Sequence, residues 1–201
     1  MKKVGIFGGT FDPIHFGHLS LAENIYDSCG LDTVIFIPAY SPLLREGKQP
    51  VASSIHRYNM TKLAISECNY FEISDVELLR KGPSYMIDTV ETFLNISADI
   101  ELFLIIGSDN IDKLPFWHRK DELLKLCTLL VYERPGYEPN KTDLSLIIGD
   151  ENSSIIISGP QNIESATEIR KQIYENHDIS HTIPKNVLNY IMENKLYLKP
   201  E

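Results

Sequence analysis

The sequence predicts an α/β fold: a Rossmann-like, doubly wound parallel sheet with flanking helices and a small helical carboxy-terminal part. Three observations carry this reading. Short β-branched runs alternate with longer stretches of helical spacing, the pattern of crossover connections between parallel strands. The run Leu102–Ile106 is apolar at every position, as in a strand buried on both faces. The pair Gly8-Gly9 ends the first strand just ahead of a helical run, and folds of this class bind ligands at the carboxyl ends of their strands.

Each element follows from its residues. Val4–Phe7 reads as the first strand, and Leu19–Ser28 as the first helix. Thr33–Ile37 is the second strand, stopped by Pro38. Ser53–Glu67 places Ile55, Met60, Leu63 and Ala64 at helical intervals. Tyr70–Ser74 is a short strand, and Ser84–Asn95 a helix with Tyr85, Val90, Phe93 and Leu94 apolar. Leu102–Ile106, Leu129–Tyr132 and Ser154–Ile157 continue the sheet. Thr167–Glu175 and Lys185–Glu193 close the chain as helices. Pro38–Pro50 and Pro135–Lys141 read as loops. No repeat or linker interrupts the pattern, so 1–201 reads as one domain, with 164–201 as its helical carboxy-terminal part.

Composition narrows the function. With 43% hydrophobic and 23% charged residues over 201 positions, the chain has ordinary globular usage, which excludes disordered and fibrous classes. A net charge of −9 repels a phosphate backbone at long range and argues against nucleic acid as a partner. The apolar runs fall far short of the ~18 residues that span a bilayer, so no membrane role is expected. After Lys2-Lys3, the apolar stretch is cut early by Gly8-Gly9 and Asp12-Pro13, so export is not expected either. Three cysteines, widely separated and without C-x-x-C, suit reduced thiols and a cytoplasmic location.

The chemistry concentrates in Gly8-Gly9-Thr10-Phe11-Asp12-Pro13-Ile14-His15-Phe16-Gly17-His18. Glycines at a strand end let the backbone approach a ligand. His15 and His18 are three apart and share a face if they lie on the first turn of a helix. Unpaired N–H groups there carry positive partial charge, so backbone and imidazoles together form an anion cradle. Gly17 removes a side chain between the two histidines. Asp12, His15 and His18 could instead hold a metal, but no cysteine or H-E-x-x-H pattern accompanies them. The Walker and G-x-G-x-x-G patterns are both missing here.

These residues resemble the nucleotidyltransferases with an H-x-G-H motif, and within them are most similar to the bacterial nicotinate-nucleotide adenylyltransferases. The resemblance covers nearly the whole chain. It includes Gly82-Pro83-Ser84-Tyr85 with Asp88-Thr89, Gly107-Ser108-Asp109 with Trp117 and Arg119, Arg134-Pro135-Gly136, Ser165-x-Thr167-x-Ile169-Arg170 and Pro184–Tyr190. It implies transfer of AMP from ATP to nicotinate mononucleotide, giving nicotinate adenine dinucleotide and pyrophosphate, with Mg2+ carried in on ATP and no dedicated protein metal site. It implies catalytic roles for His15, His18 and Arg170. ATP and its phosphates would meet Gly8, Gly9, Thr10, Phe11, Gly17, Arg45, Gly107, Asp109, Ser165 and Thr167. Ser84, Tyr85, Thr89, Trp117 and His118 would line the nicotinate mononucleotide pocket.

Plainer roles stand beside these. Arg170 can be a solvated helix arginine, and Ser165-x-x-Glu168 is a capping box, so Ser165 can cap its helix. Asp109 can cap a turn, and a sole tryptophan such as Trp117 is often core. The chain also departs from the family pattern. Where a Pro-His-Lys or Pro-His-Arg loop is usual, Pro42, Leu43, Leu44 and Arg45 align; Arg45 keeps a cation and Leu44 loses a donor. Met86 stands where threonine is common, beside the nicotinate pocket. The alternatives are therefore an enzyme acting on nicotinamide mononucleotide or on both mononucleotides, and a nucleotide-binding regulator with weak turnover. The sequence leaves a homo-oligomer open.

Overall fold

A computed structural model describes residues 1–43, 49–133, 147–149, 153–159 and 164–199. Among these, six strands form one sheet: β1 (Lys2–Gly9), β2 (Thr33–Pro38), β3 (Phe71–Ile73), β4 (Ile100–Gly107), β5 (Thr128–Tyr132) and β6 (Ser154–Ile157). Their order is β3-β2-β1-β4-β5-β6 and every pairing is parallel. The chain lays strands outward from β1 to β3, then returns to place β4 on the other side of β1. The carboxyl ends of β1 and β4 therefore flank the point where the order reverses.

Period-two alternation divides the strand side chains between two apolar layers. On one face, Phe7, Phe36, Phe103, Ile105 and Leu130 pack with α1 (Phe16–Cys29), α2 (Ser54–Ala64), α6 (Ala166–Tyr174) and α7 (Lys185–Glu193). On the other, Ile6, Ile35, Leu104 and Val131 pack with α4 (Met86–Ile96) and α5 (Lys120–Leu126). All six positions of β2 are buried, because helices cover both faces. The carboxy-terminal helices share this core: Ile169, Ile173, Val187, Ile191 and Tyr197 belong to the same cluster as Phe7 and Phe11.

The predicted strands and helices all form, with boundaries shifted by a few residues. The largest change concerns α1, which starts at Phe16 rather than Leu19 and so takes His18 into its first turn, with His15 as its N-cap. Three elements go beyond the sequence reading: α3 (Val76–Arg80), a 3₁₀ segment at Ser108–Phe116, and α5. Each hides its period. α3 has five residues, the 3₁₀ segment contains Pro115, and α5 is preceded by Arg119 as N-cap in a left-handed conformation with φ 52°. The predicted loop Pro135–Lys141 lies outside the described residues, as do Leu44, Arg45 and Arg134.

Candidate active site

The loop after β1 is shaped by crowding. A Cβ on Gly9 would lie 2.6 Å from the Phe11 ring, so glycine is the residue that lets this ring fold back over the strand end. Phe11 has φ 48° and is 2% exposed; its ring packs on Phe7, Phe36 and His18 at centroid distances of 5.5, 5.8 and 5.1 Å. A buried guanidinium holds the loop's outer side. Arg57 on α2 donates from Nη1 to the Thr10 carbonyl (2.7 Å), from Nε to that of Ala52 (3.2 Å) and from Nη2 to that of Tyr40 (3.4 Å). The β1 loop, the β2 loop and the start of α2 are thus tied to one rigid fork.

The two histidines come together as the spacing predicts. Their rings lie against each other with centroids 3.7 Å apart and planes tilted by 33°, and the His15 backbone N–H donates to His18 Nδ1 at 3.3 Å. The backbone donors at this helix start are partly used. Phe16 N–H donates to the Thr182 carbonyl and His18 N–H to the His15 carbonyl, each at 3.0 Å. The imidazoles are therefore the side-chain groups of α1 at the cavity, beside amides that are partly engaged. Gly17 stands behind His15 instead of facing a ligand: a Cβ there would lie 3.0 Å from His15 Nδ1 and 3.2 Å from Glu164 Oε2. Its place is dictated by the close approach of α1 to the segment before α6.

Asp12 is placed for support. Its carboxylate accepts from Val51 N–H (2.8 Å), Ala52 N–H (3.1 Å) and the Tyr197 hydroxyl (2.7 Å), which leaves little capacity for the metal-ligand alternative. Among the described residues no three His, Cys, Asp or Glu side chains come together to hold a metal ion.

The amino terminus of α6 faces the same space as the histidines. Ser165 is its N-cap residue, yet the side chain makes no capping bond, so the capping-box role is not adopted. Arg170 sits one turn further on, behind the wall. Its Nη1 donates to the Asp12 carbonyl (2.6 Å) and its Nη2 to Thr167 Oγ1 (3.3 Å). This guanidinium is anchored by protein groups, which differs from the open phosphate grip expected of it.

The opposite side is built from the start of α4 and the 3₁₀ segment. The Tyr85 and His118 rings lie 4.3 Å apart with planes tilted by 33°, and Ser84 Oγ accepts from Ser41 N–H at 3.1 Å. Thr89, expected in the pocket, is fully buried beneath it. Its hydroxyl lies 2.9 Å from Glu77 Oε1 and 3.3 Å from Arg80 Nη1. Burial pushes the Glu77 carboxyl up from its ordinary value, against the pull of Ser84, Thr89 and Arg80. Arg119 holds Glu91 and Glu122, both at 2.7 Å, and so braces the turn that carries Trp117 and His118. The Trp117 indole Nε1 is buried without a hydrogen-bond partner.

These walls enclose a cavity of about 730 Å³ at the carboxyl ends of β1 and β4. It brings together Gly8, Gly9, Thr10, Phe11, His15, His18, Gly107, Asp109, Ser165 and Thr167 with Ser84, Tyr85, Trp117 and His118. Gly17, Thr89 and Arg170 are not among its lining residues, and Arg45 lies outside the described residues. Met86 lines it, as expected from its place beside the nicotinate pocket, and Glu77, Asn110, Lys113, Phe116 and Glu164 also line it, unforeseen as site residues. Lys113 and Asn110 carried a signal, since they follow Asp109 on the apolar strand's exit. Glu77 carried none.

Comparisons with known proteins agree with this arrangement. A family model described as cytidylyltransferase-like matches residues 6–172. A relative from Dehalococcoides mccartyi (strain CBDB1), bearing the name probable nicotinate-nucleotide adenylyltransferase, is 38% identical over 200 residues, covering 98% of each chain. One of the same name from Clostridium botulinum (strain Eklund 17B / Type B) is 41% identical over 201 residues, again at 98% of each. In fold, the chain is similar to a Plasmodium falciparum nicotinic acid mononucleotide adenylyltransferase complexed with NaAD. The TM-score is 0.80, over 98% of both chains at 20% identity.

Proposed function

The chain belongs to the cytidylyltransferase-like family, among its nicotinate-nucleotide adenylyltransferases, and on that premise we propose that it transfers AMP from ATP to nicotinate mononucleotide. An oxygen of the mononucleotide phosphate attacks the α-phosphorus of ATP. The bond to the β-phosphate oxygen breaks, leaving nicotinate adenine dinucleotide and pyrophosphate. Such a reaction needs placement of two anions and stabilisation of the charge that moves onto the departing oxygen.

The observation that supports this reading is a single cavity with two chemically different walls. One carries the paired imidazoles and the amino terminus of α6, suited to phosphates. The other carries Trp117, Tyr85 and His118, suited to a flat cationic pyridine. His18 would support the departing pyrophosphate, and Arg170, fixed on Asp12 and Thr167, would add positive potential from behind. Asp109 would accept from ribose hydroxyls. Magnesium arriving with ATP would neutralise phosphate charge there. A cytoplasmic setting suits the free thiols of Cys29, Cys68 and Cys127, and among the described residues no helix is long and apolar enough to cross a membrane.

A second reading, acceptance of the amide mononucleotide, rests on Met86, which lines the cavity and offers a substrate carboxylate no donor. Pyrophosphate release from ATP and magnesium with each mononucleotide tests both. Turnover with a higher kcat/KM for the acid is expected; a ratio favouring the amide overturns the acid assignment. ATP binding without release would point to the regulator.

A further inference from the structure

We propose that Tyr197 is a positioning residue for the phosphate half of the site, acting through Asp12 on Arg170. The inference rests on the reading above for the substrate and on the following geometry for the mechanism. After α7 the chain turns back through Lys195 (φ 52°) and Tyr197 (φ 62°), two non-glycine residues in the left-handed region. Such conformations persist where surrounding contacts over-determine them. Here Leu196 N–H donates to the Ile191 carbonyl at 2.9 Å, and the Tyr197 ring is buried in the core that holds Phe11. The outcome of this turn is one polar contact: the Tyr197 hydroxyl donates to Asp12 Oδ1 at 2.7 Å.

Packing alone does not account for tyrosine here, because phenylalanine would fill the same space. The hydroxyl's partner is itself 2% exposed and already engaged. Asp12 Oδ2 accepts from Val51 N–H and lies 3.8 Å from Arg170 Nη1, while the Asp12 carbonyl accepts from the same nitrogen at 2.6 Å. Arg170 is thus held by the carbonyl and one carboxylate oxygen of a single residue, whose other carboxylate oxygen accepts from Tyr197. Burial, with the Asp12 charge adding to it, keeps the phenol protonated and so a permanent donor. Losing it leaves the carboxylate on the Val51 and Ala52 N–H donors alone, which loosens its hold on Arg170 and lets the guanidinium shift away from the wall formed by Ser165 and Thr167.

Tyr197→Phe tests this, with kcat/KM measured separately for ATP and for nicotinate mononucleotide. Loss of one hydrogen bond to a charged group predicts a fall of about tenfold for ATP. The mononucleotide KM should stay within about twofold, since its pocket lies on the other wall. In the double variant Tyr197→Phe/Arg170→Lys, the tyrosine change should cost nothing beyond Arg170→Lys alone. Equal losses for both substrates, or additive losses in the double variant, would show a merely structural tyrosine and overturn the proposal. If the wild type fails to turn over, the substrate reading falls. Calorimetric ATP affinity of wild type against Tyr197→Phe then decides the positioning role by itself: a loss supports it and equality refutes it.

Discussion

The backbone N–H of His15 donates to Nδ1 of His18, and the two rings lie against each other 3.7 Å apart. An acceptor at Nδ1 places the His18 proton on Nε2, so the neutral ring presents an N–H to whatever occupies the cavity. The edge of Phe11 closes off a third side of this ring. His18 is therefore oriented by its own helix start before any ligand arrives.

His18→Ala should lower kcat by about 10²-fold or more with little change in the urea midpoint. Steady-state rates and equilibrium unfolding of the same preparation check both halves. Unchanged kcat would remove His18 from the chemistry.

Gly17→Ala should separate stability from activity. Alanine favours a helix over glycine by about 1 kcal/mol, so the melting temperature should hold or rise. The new methyl, 3.0 Å from His15 Nδ1 and 3.2 Å from Glu164 Oε2, must displace both groups. A shift of a few tenths of an ångström in a positioned group should cost about tenfold in kcat. Full activity at raised stability would show that His15 does not need its present place.

Trp117→Ala should raise KM for the mononucleotide by about tenfold, while KM for ATP changes little. The indole lines the wall away from the histidines. Equal changes in both constants would contradict stacking on the pyridine.

Glu77→Gln should stabilise the fold at neutral pH and lose that advantage in acid. Burial raises the Glu77 carboxyl above its ordinary value of 4.5, so the folded protein holds this proton more tightly than the unfolded chain does. The charge costs stability once pH exceeds the folded value, and the cost vanishes below 4.5. Glutamine copies the protonated form. Melting temperatures of the two proteins should differ at pH 7 and converge near pH 4; a pH-independent gap would refute the assignment.

How much of this was legible depended on whether a residue's role is local. Leu102–Ile106 announces a central strand because nothing polar interrupts it, and β4 forms around it. His15 and His18 meet because three residues separate them at a helix start, a relation the sequence displays directly. Arg57 and Tyr197 were missed because their partners lie far along the chain, 47 residues away for Thr10 and 185 for Asp12. A faint signal existed for Arg57: it sits on the stripe of α2 that also carries Met60 and Thr61, where a charge needs an internal partner. Thr89 and Arg170 were misplaced by less than one layer. Spacing put them on the right helices, but which side of the cavity wall each occupies is settled by Glu77 and Asp12, whose demands for donors are invisible in one dimension.

The bond between Tyr197 and Asp12 also orders events in time. Asp12 is synthesised 185 residues before Tyr197, and its carboxylate receives this donor only when residue 197 has been added. A nascent chain can pair β1 with β2 long before that. It cannot complete the anchoring of its nucleotide loop until residue 197 is in place, so a polypeptide halted before that residue would lack this contact.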